Sequence, residues 1–341
     1  MSIFKHIVFI GANKDCNNKK FCIFAPLMER KRLNAHIAIF VANIFFGLNN
    51  PISRSLMPEI IDPIALTYLR LVGAAILFWA SIIFVKFEKV PVRDIVLFFF
   101  AAFFSLTFNN FPFFYGLSRT SPIDASIVVS TLPIVSMLLA AVIIKEPITL
   151  KKAFGVILGA SGALFLILSD NIAHVGKGNI VGNMFVFMAV ISFSLYLTLF
   201  KNLIRRYSPF TIMRWMFLFA AIQSYPFCHS AIEAISPFIF NWSVVMRISY
   251  IIVFATFVSY ILLATGQKMI LPTTLSMYNY TQPIIASLAT VAMGLDTFGY
   301  DQLVSIVLVF VGVYIVTQSK TREQMEAERA SKSVENSLQN V

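Results

Sequence analysis

Long, almost unbroken runs of apolar residues alternate with short polar connections along most of this chain. Each run approaches the roughly 20 residues that a helix needs to cross a bilayer, and none shows the strict alternation of a barrel strand. Proline begins several runs, where it is tolerated because the first N–H of a helix has no helical partner. The pattern predicts ten spanning helices, at residues 35–56, 63–85, 94–117, 122–144, 149–168, 182–203, 209–227, 244–266, 272–293 and 300–317.

Composition favours an all-α integral membrane protein and excludes a soluble one. Hydrophobic residues make up 58% of the 341 residues and charged residues only 13%, against about 45–50% and about 25% in soluble proteins. A soluble globule could not bury that much apolar surface, so the bilayer is the expected solvent. The three cysteines lack the spacing of a zinc site or a redox pair, and no metal or other cofactor is expected.

The basic residues fall almost entirely on one side of the predicted membrane. With the N-terminus inside, the inner segments hold 21 Lys and Arg and the outer loops hold two, which is a strong positive-inside signal. Short cytoplasmic loops beside anionic lipid then explain the net charge of +11, and nucleic acid is not expected as a partner. We expect a multi-pass protein of the inner (plasma) membrane of the cell, with both termini in the cytoplasm.

The chain contains an internal repeat. Residues 116–170 align with residues 266–320 without a gap and with ten identities, which include two proline pairs and two glycine pairs. An offset of 147 aligns residues 41–56 with residues 188–203 in the same way. Each repeat holds five predicted spans, an odd number, so the second copy enters the membrane from the opposite side. Inverted repeats of this kind build secondary transporters, with solute sites near the midplane.

The predicted organisation has four parts. They are a cytoplasmic N-terminal segment 1–34, a first repeat 35–170, a second repeat 182–318 and a polar cytoplasmic tail 319–341. Whether residues 1–27 are a genuine part of the protein is left open, because Met28 precedes a basic stretch and is a natural start before the first span.

One stretch of the first repeat resembles a known family. Residues 114–126 read FYGLSRTSPIDAS, and Leu132-Pro133 and Lys145-Glu146 follow. This stretch is similar to the EamA-type repeat of the drug/metabolite transporter superfamily, and the second copy is a more divergent version of it. The resemblance implies a ten-helix carrier with a central cavity. It also implies substrates that range from amino acids and metabolites to cationic drugs and sugar-like solutes.

The expected function is therefore secondary transport. The sequence contains no GxxxxGK[ST] loop, so ATP is not the expected energy source. It also lacks paired catalytic carboxylates, and an enzyme is not expected. We expect a small organic metabolite or drug to cross the membrane by alternating access, through an efflux carrier or an exchanger. A lipid scramblase or flippase-like protein, or a non-transporting protein on the same scaffold, stays an alternative. A homodimer also stays open.

Polar side chains inside the predicted spans are the candidate solute-binding residues, because polar groups in lipid are costly and usually face a cavity. Arg70 and Arg214 could bind a carboxylate or phosphate through two hydrogen bonds, close a gate, or snorkel to the interface. The cavity candidates are Asn49, Asn50, Arg70, Asn109, Asn110, Ser126, Ser130, Tyr196, Arg214, Tyr260, Ser276, Tyr280 and Gln282. Pro51, Pro112, Pro133 and Pro283 are predicted to bend their helices.

Predicted spans four and nine share a pattern that defines the expected cavity wall. In each, a serine, a second polar residue and a proline recur at i, i+4 and i+7, which is one face of a helix. The second repeat supplies tyrosines on this wall, and ring faces attract cations. Aromatic packing without any ligand stays the alternative for each tyrosine.

Overall fold

The computed structural model describes residues 19–57, 60–117, 119–120, 122–169, 180–233, 241–292 and 300–319, together with Met325. Every regular element within these residues is helical. The helices are α1 (Lys19–Arg54), α2 (Pro63–Ala80), α3 (Val92–Ala102, Phe103–Thr107 and Phe108–Leu117), α4 (Pro122–Val129 and Leu132–Ile143), α5 (Leu150–Ser169), α6 (Ile180–Leu199), α7 (Pro209–Glu233), α8 (Trp242–Ile252, Val253–Val258 and Ser259–Gln267), α9 (Pro272–Met277, Tyr278–Tyr280 and Thr281–Ala292) and α10 (Tyr300–Thr317). A 3-10 turn at Ser81–Ile83 extends α2, and a short helix at Lys201–Arg206 links α6 to α7.

Five of the helices are long and apolar enough to cross a membrane. They are Arg32–Ser53, Pro63–Ile83, Val92–Gly116, Ile180–Leu199 and Trp242–Gln267, and shorter apolar helices cover Ile127–Ile143 and Leu303–Thr317. The described residues therefore have the structure of an all-helical, multi-pass membrane protein. The larger number of ten spans stays a prediction.

Local sequence explains where several helices begin. The carboxylate of Asp62 accepts hydrogen bonds from the amides of Ile64 and Ala65, and Pro63 occupies the first helical position of α2. The side chain of Asn241 accepts from the amide of Val244 at the start of α8. Both residues satisfy amides that the first turn of a helix leaves without partners.

Two pairs of helices are interrupted at equivalent places. In α4 and α9 the regular helix breaks a few residues before Pro133 and Pro283, because a proline cannot donate to the carbonyl four residues earlier. In α3 and α8 the interruption is a π-helical turn, at Phe103–Thr107 and Val253–Val258. The first residues of these two turns are separated by 150 positions, the offset of the repeat.

Helix pairing follows a regular scheme. Helix α1 packs on α8 and α9, and α6 packs on α3 and α4. Contacts also join α2 to α7, α4 to α9, α5 to α10, α3 to α7 and α2 to α8. When five is added to or subtracted from both helix numbers of a pair, the result is the same pair or another pair of this set. The helix contacts therefore follow the five-helix repeat.

Glycine contacts repeat the scheme at the level of residues. A Cβ added at Gly116 would lie 2.6 Å from the carbonyl oxygen of Gly182 and 2.8 Å from Val186. A Cβ at Gly266 would meet the side chain of Ile39 and lie 3.3 Å from the carbonyl oxygen of Ala35. Gly266 is the equivalent of Gly116 at the offset of 150, and Ala35 and Ile39 are the equivalents of Gly182 and Val186 at the offset of 147. The two contacts are therefore equivalent, and both copies need glycine for the same close approach.

One end of the bundle carries a polar network, and we call this end, formed by residues 84–91, 200–208 and 268–271, the basic end. The hydroxyl of Tyr207 donates to the carboxylate of Asp94 at 2.5 Å, and Arg206 lies 3.5 Å from the same carboxylate. The ammonium of Lys268 donates to the carbonyl of Tyr207 at 2.6 Å. The hydrogen bond to Asp94, together with burial, raises the pKa of Tyr207 to about 12. The network ties α3 to the connections before α7 and α9.

Candidate functional site

A contact between α4 and α9 joins equivalent positions of the two repeats. The hydroxyl of Tyr280 donates to the carbonyl oxygen of Ser130 at 2.8 Å, and both residues are buried. The contact falls where both helices are interrupted, so a local backbone carbonyl is available to a side chain. On the same predicted face Ser276 donates to the carbonyl of Thr273, while the side chain of Ser126 lies outside the described residues.

A line of polar side chains joins α1 to α9, and of its members only Gln282 is among the cavity candidates predicted from the sequence. The amide nitrogen of Gln282 donates to the side-chain oxygens of Asn43 at 2.7 Å and Asn279 at 3.2 Å. Nδ1 of His36 lies 2.8 Å from the hydroxyl of Tyr278. We call these five residues the α1–α9 seam. The signal in the sequence was the spacing of seven between His36 and Asn43, which places both on one helix face.

Arg70 lies beside a group of aromatic rings. Its guanidinium is half-buried and close enough to Tyr260 to interact electrostatically. The ring of Tyr260 packs edge-on against Phe46, with centroids 5.6 Å apart, and against Phe217, at 5.0 Å. Nε of Arg70 is buried and makes no hydrogen bond within the described residues. Because an unpaired buried donor is costly, this N–H is an opening for an acceptor on a solute.

Arg214 has different surroundings. Its side chain is fully buried, with Nε donating to the carbonyl of Phe78 at 3.3 Å and Nη2 donating to Ser81 at 3.4 Å. Its Nη1 is also buried and makes no hydrogen bond within the described residues. Rings of Trp79 and Phe87 lie over it, with centroids 5.8 Å and 5.5 Å from the guanidinium carbon. A cation at the last carbonyls of a helix satisfies them and complements the helix dipole. Arg214 therefore caps α2.

The two arginines do not share a site. Arg214 contacts Phe78, which lies eight residues along α2 from Arg70. At 1.5 Å per residue the two levels are about 12 Å apart. The backbone of Arg70 and the helix end that Arg214 contacts therefore lie at different depths along α2.

The asparagines make contacts inside the protein. The amide of Asn109 donates to the carbonyl of Ala189 at 3.0 Å and so ties α3 to α6. Asn110 donates to the carbonyl of Leu106 in its own helix, and the side-chain oxygen of Asn49 accepts from Ser53. The side chain of Asn50 lies outside the described residues. The helices continue through Pro51 and Pro112.

Tyr196 lies in the interior, where α6, α7 and α8 meet. Its hydroxyl donates to the side-chain oxygen of Gln267 at 3.0 Å and lies 3.9 Å from the sulfur of Met216. The side-chain nitrogen of Gln267 is buried and makes no hydrogen bond within the described residues. Gln267 was not among the sequence-predicted residues, because it falls at the end of an apolar run. Within the described residues no cluster of His, Cys, Asp and Glu could hold a metal ion.

An all-helical bundle with two matching sets of interrupted helices and with polar groups between the helices has the architecture of a membrane transporter. Residues 33–168 and 180–318 match the model of the EamA-like transporter family. The chain therefore belongs to this family.

Named relatives support this assignment. The chain is similar to an uncharacterized transporter of Archaeoglobus fulgidus, with 24% identity over 260 residues that cover 76% of this chain and 90% of that protein. It is also similar to the uncharacterized transporter YetK of Bacillus subtilis, with 21% identity over 300 residues, 86% of this chain and 90% of that protein. A WAT1-related protein of Arabidopsis thaliana is 24% identical over 338 residues, 88% of this chain and 89% of that protein.

A solved structure, described only as a crystal structure of a protein, shares the fold. It superimposes with a TM-score of 0.70 at 16% identity, covering 84% of this chain and 98% of that chain. At this identity the likeness concerns the fold alone.

Proposed function

We propose that this protein is a secondary transporter that moves a small organic metabolite or drug across the membrane by alternating access, as an exporter or exchanger. Ten helices, arranged as two inverted repeats of five, form the carrier, and ATP is not its energy source. We place it in the inner (plasma) membrane with both termini in the cytoplasm, because the inner segments of that topology hold 21 of the basic residues.

The contact between Tyr280 and Ser130 is the observation that carries the proposal. These residues occupy equivalent positions, 150 apart, and a residue touches its own equivalent only close to the axis that relates the two copies. The helix pairs and the glycine contacts obey the same relation. Because five helices are an odd number, such an axis lies in the membrane plane, as in inverted-repeat transporters. Each half can then adopt the conformation of the other, which gives two states of similar energy.

The π-helical turns of α3 and α8 supply hinges for this exchange. π turns are frequent at functional sites because they weaken the regular helical hydrogen bonding. In α3 a side chain of a neighbouring helix bonds to a carbonyl of the turn: Ser192 of α6 donates to Phe104 at 2.7 Å. We therefore propose that α3 and α8 bend alternately at their π turns.

The surroundings of Arg70 favour an organic anion with an apolar or aromatic part. The unpaired Nε can donate to a carboxylate, and charge-assisted hydrogen bonds of this kind are about twice as strong as neutral ones. Phe46 and Tyr260 offer ring surface beside it. The α1–α9 seam supplies neutral amides for further polar groups of the solute.

Ligand-induced thermal stabilisation of the purified protein tests this solute class. Stabilisation grows as RT ln(1 + [L]/Kd), about 1.4 kcal/mol at ten times Kd. We expect aromatic or apolar carboxylates to raise the melting temperature and the shift to vanish in Arg70→Gln. The matched control is Arg214→Gln, which lowers the baseline stability but keeps the shift. A shift that vanishes only in Arg214→Gln would refute the assignment to Arg70.

Transport itself is tested in liposomes without ATP. We expect a stabilising solute to exchange across the membrane and to compete with its labelled form. If no member of a broad panel of solutes moves, the proposal loses its basis. Flipping of fluorescent phospholipid in the same liposomes, without solute movement, would favour the lipid scramblase.

A further inference from the structure

A groove of about 530 Å³ runs between α2 and α7. It opens on the outer surface of the bundle, since Ile76 and Ile222 on its rims are 63% and 59% exposed. The walls are apolar except for two phenol groups and one indole. The lining residues are Tyr68, Val72, Ala75, Ile76, Trp79, Leu218, Ala221, Ile222 and Tyr225.

The groove lies at membrane depth. On α2 it extends from Tyr68 to Trp79, within the candidate span Pro63–Ile83. Eleven residues at 1.5 Å each give a length of about 16 Å, against a hydrocarbon core of about 30 Å. The medium that faces an outward-opening groove at this depth is lipid acyl chain. An empty channel would forfeit contacts for every wall atom, so the groove is expected to be filled.

Aromatic rings line both ends of the groove. Tyr68 and Tyr225 lie with ring centroids 6.2 Å apart at one end. Trp79 lies at the other end and packs edge-on against Trp215, with centroids 5.5 Å apart.

Charge distinguishes the two ends. Trp79 lies over the buried Arg214, which also contacts Phe87 at the basic end, and the adjacent Lys86 is exposed there. At the other end Tyr225 packs on His229, which pairs with the carboxylate of Glu233 at 3.4 Å. A phosphate is attracted to the first end and meets a carboxylate near the second.

We propose that this groove binds one acyl chain of an anionic phospholipid from the leaflet at the basic end. The phosphate lies near Lys86, the chain passes Trp79 first, and its methyl end reaches Tyr68 and Tyr225. Because α2 belongs to the first repeat and α7 to the second, one bound chain contacts both repeats. The inference does not depend on which solute is transported.

Quenching of tryptophan fluorescence by brominated lipid tests the proposal. The variant Trp215→Phe/Trp242→Phe keeps Trp79 alone of the three tryptophans. In vesicles of phosphatidylglycerol, we expect bromine near the glycerol end of the chain to quench Trp79 more than bromine near the methyl end. The added substitution Ala221→Leu fills the groove and is expected to remove most of this quenching. The matched control is Ala80→Leu, an exposed position of α2 off the groove.

Native mass spectrometry of the full chain from detergent gives an independent readout. We expect one retained phospholipid on the parent protein and on Ala80→Leu, and its loss from Ala221→Leu. Lys86→Gln is expected to reduce the preference for anionic over zwitterionic lipid. Equal quenching and equal lipid retention in Ala221→Leu and Ala80→Leu would overturn the proposal. Stronger quenching by bromine near the methyl end would refute the assignment of the lipid to the leaflet at the basic end. Displacement of the bound lipid by a transported solute would overturn the proposal and make the groove a solute entrance.

Discussion

The close approach of α5 and α10 predicts that Gly312→Ala forces these helices apart. A Cβ at Gly312 would lie 2.6 Å from the amide nitrogen of Gly159 and 2.7 Å from the carbonyl oxygen of Gly155. A Cβ at Gly155 would in turn lie 2.8 Å from the carbonyl oxygen of Gly312. These are backbone atoms of the opposing helix, so no side-chain rotation relieves the contact. Ordinary van der Waals contact begins at 3.4 Å, so the two helix backbones must move apart by nearly 1 Å.

The expected cost follows from the kind of atom that is met. Overpacking a well-packed interface typically costs about 1–3 kcal/mol, and we expect Gly312→Ala in the upper half of that range because backbone must move. Gly73→Ala is the matched control. There the new Cβ would meet side-chain atoms of Ile252, with Cδ1 at 2.7 Å and Cγ2 at 2.9 Å. Because a side chain and not an opposing backbone must move, we expect a smaller loss than for Gly312→Ala.

Thermal unfolding in detergent, followed by the loss of helical circular dichroism, measures the difference. We expect a clearly lower melting temperature for Gly312→Ala than for Gly73→Ala. Stabilisation by a carboxylated solute should persist in Gly312→Ala, because α5 and α10 contribute no residue to the candidate site. The reasoning from backbone contact would be refuted if Gly312→Ala melted at the temperature of the parent protein. It would also be refuted if Gly73→Ala melted at a lower temperature than Gly312→Ala.

Three further outcomes are expected. In Tyr207→Phe the buried Asp94 loses a donor, so unfolding at neutral pH should be easier by about 1–3 kcal/mol. Because the pKa of Tyr207 is raised to about 12, its contribution is present below pH 10 and is lost as the pH rises from about 10 to about 12; denaturant titrations over that range should therefore converge for parent and variant. Lys152→Met leaves the buried Glu146, now 2.8 Å from the ammonium, without its partner and should cost about 3–5 kcal/mol, whereas the double variant Glu146→Gln/Lys152→Met should recover most of the loss; equal melting of the single and double variants would contradict this. Arg214→Lys keeps the charge but not the two bonds that cap α2, so the melting temperature should fall while solute-induced shifts stay unchanged.

The sequence by itself determined the features that depend on neighbours along the chain. Apolar runs of spanning length predict helices, since a backbone in lipid must satisfy its own hydrogen bonds. The interruptions before Pro133 and Pro283 follow from a missing N–H four residues after a carbonyl. The repeat was also visible, because equivalent residues keep a constant offset within each ungapped stretch, whatever the fold. Gly116 and Gly266 show why: both copies must solve the same packing problem.

Only the tertiary structure decided what each polar side chain contacts. Asn43 and Gln282 lie 239 positions apart, and nothing local indicates that they form a hydrogen bond. Arg70 and Arg214 look alike in the sequence, yet Arg214 donates to the end of α2 and is fully buried, whereas Arg70 is half-buried beside Tyr260. The physical reason is that lateral contacts depend on the rotation of each helix about its axis and on which helix lies beside it. Both are set by packing summed over many residues of several helices, and a single polar residue carries little of that sum.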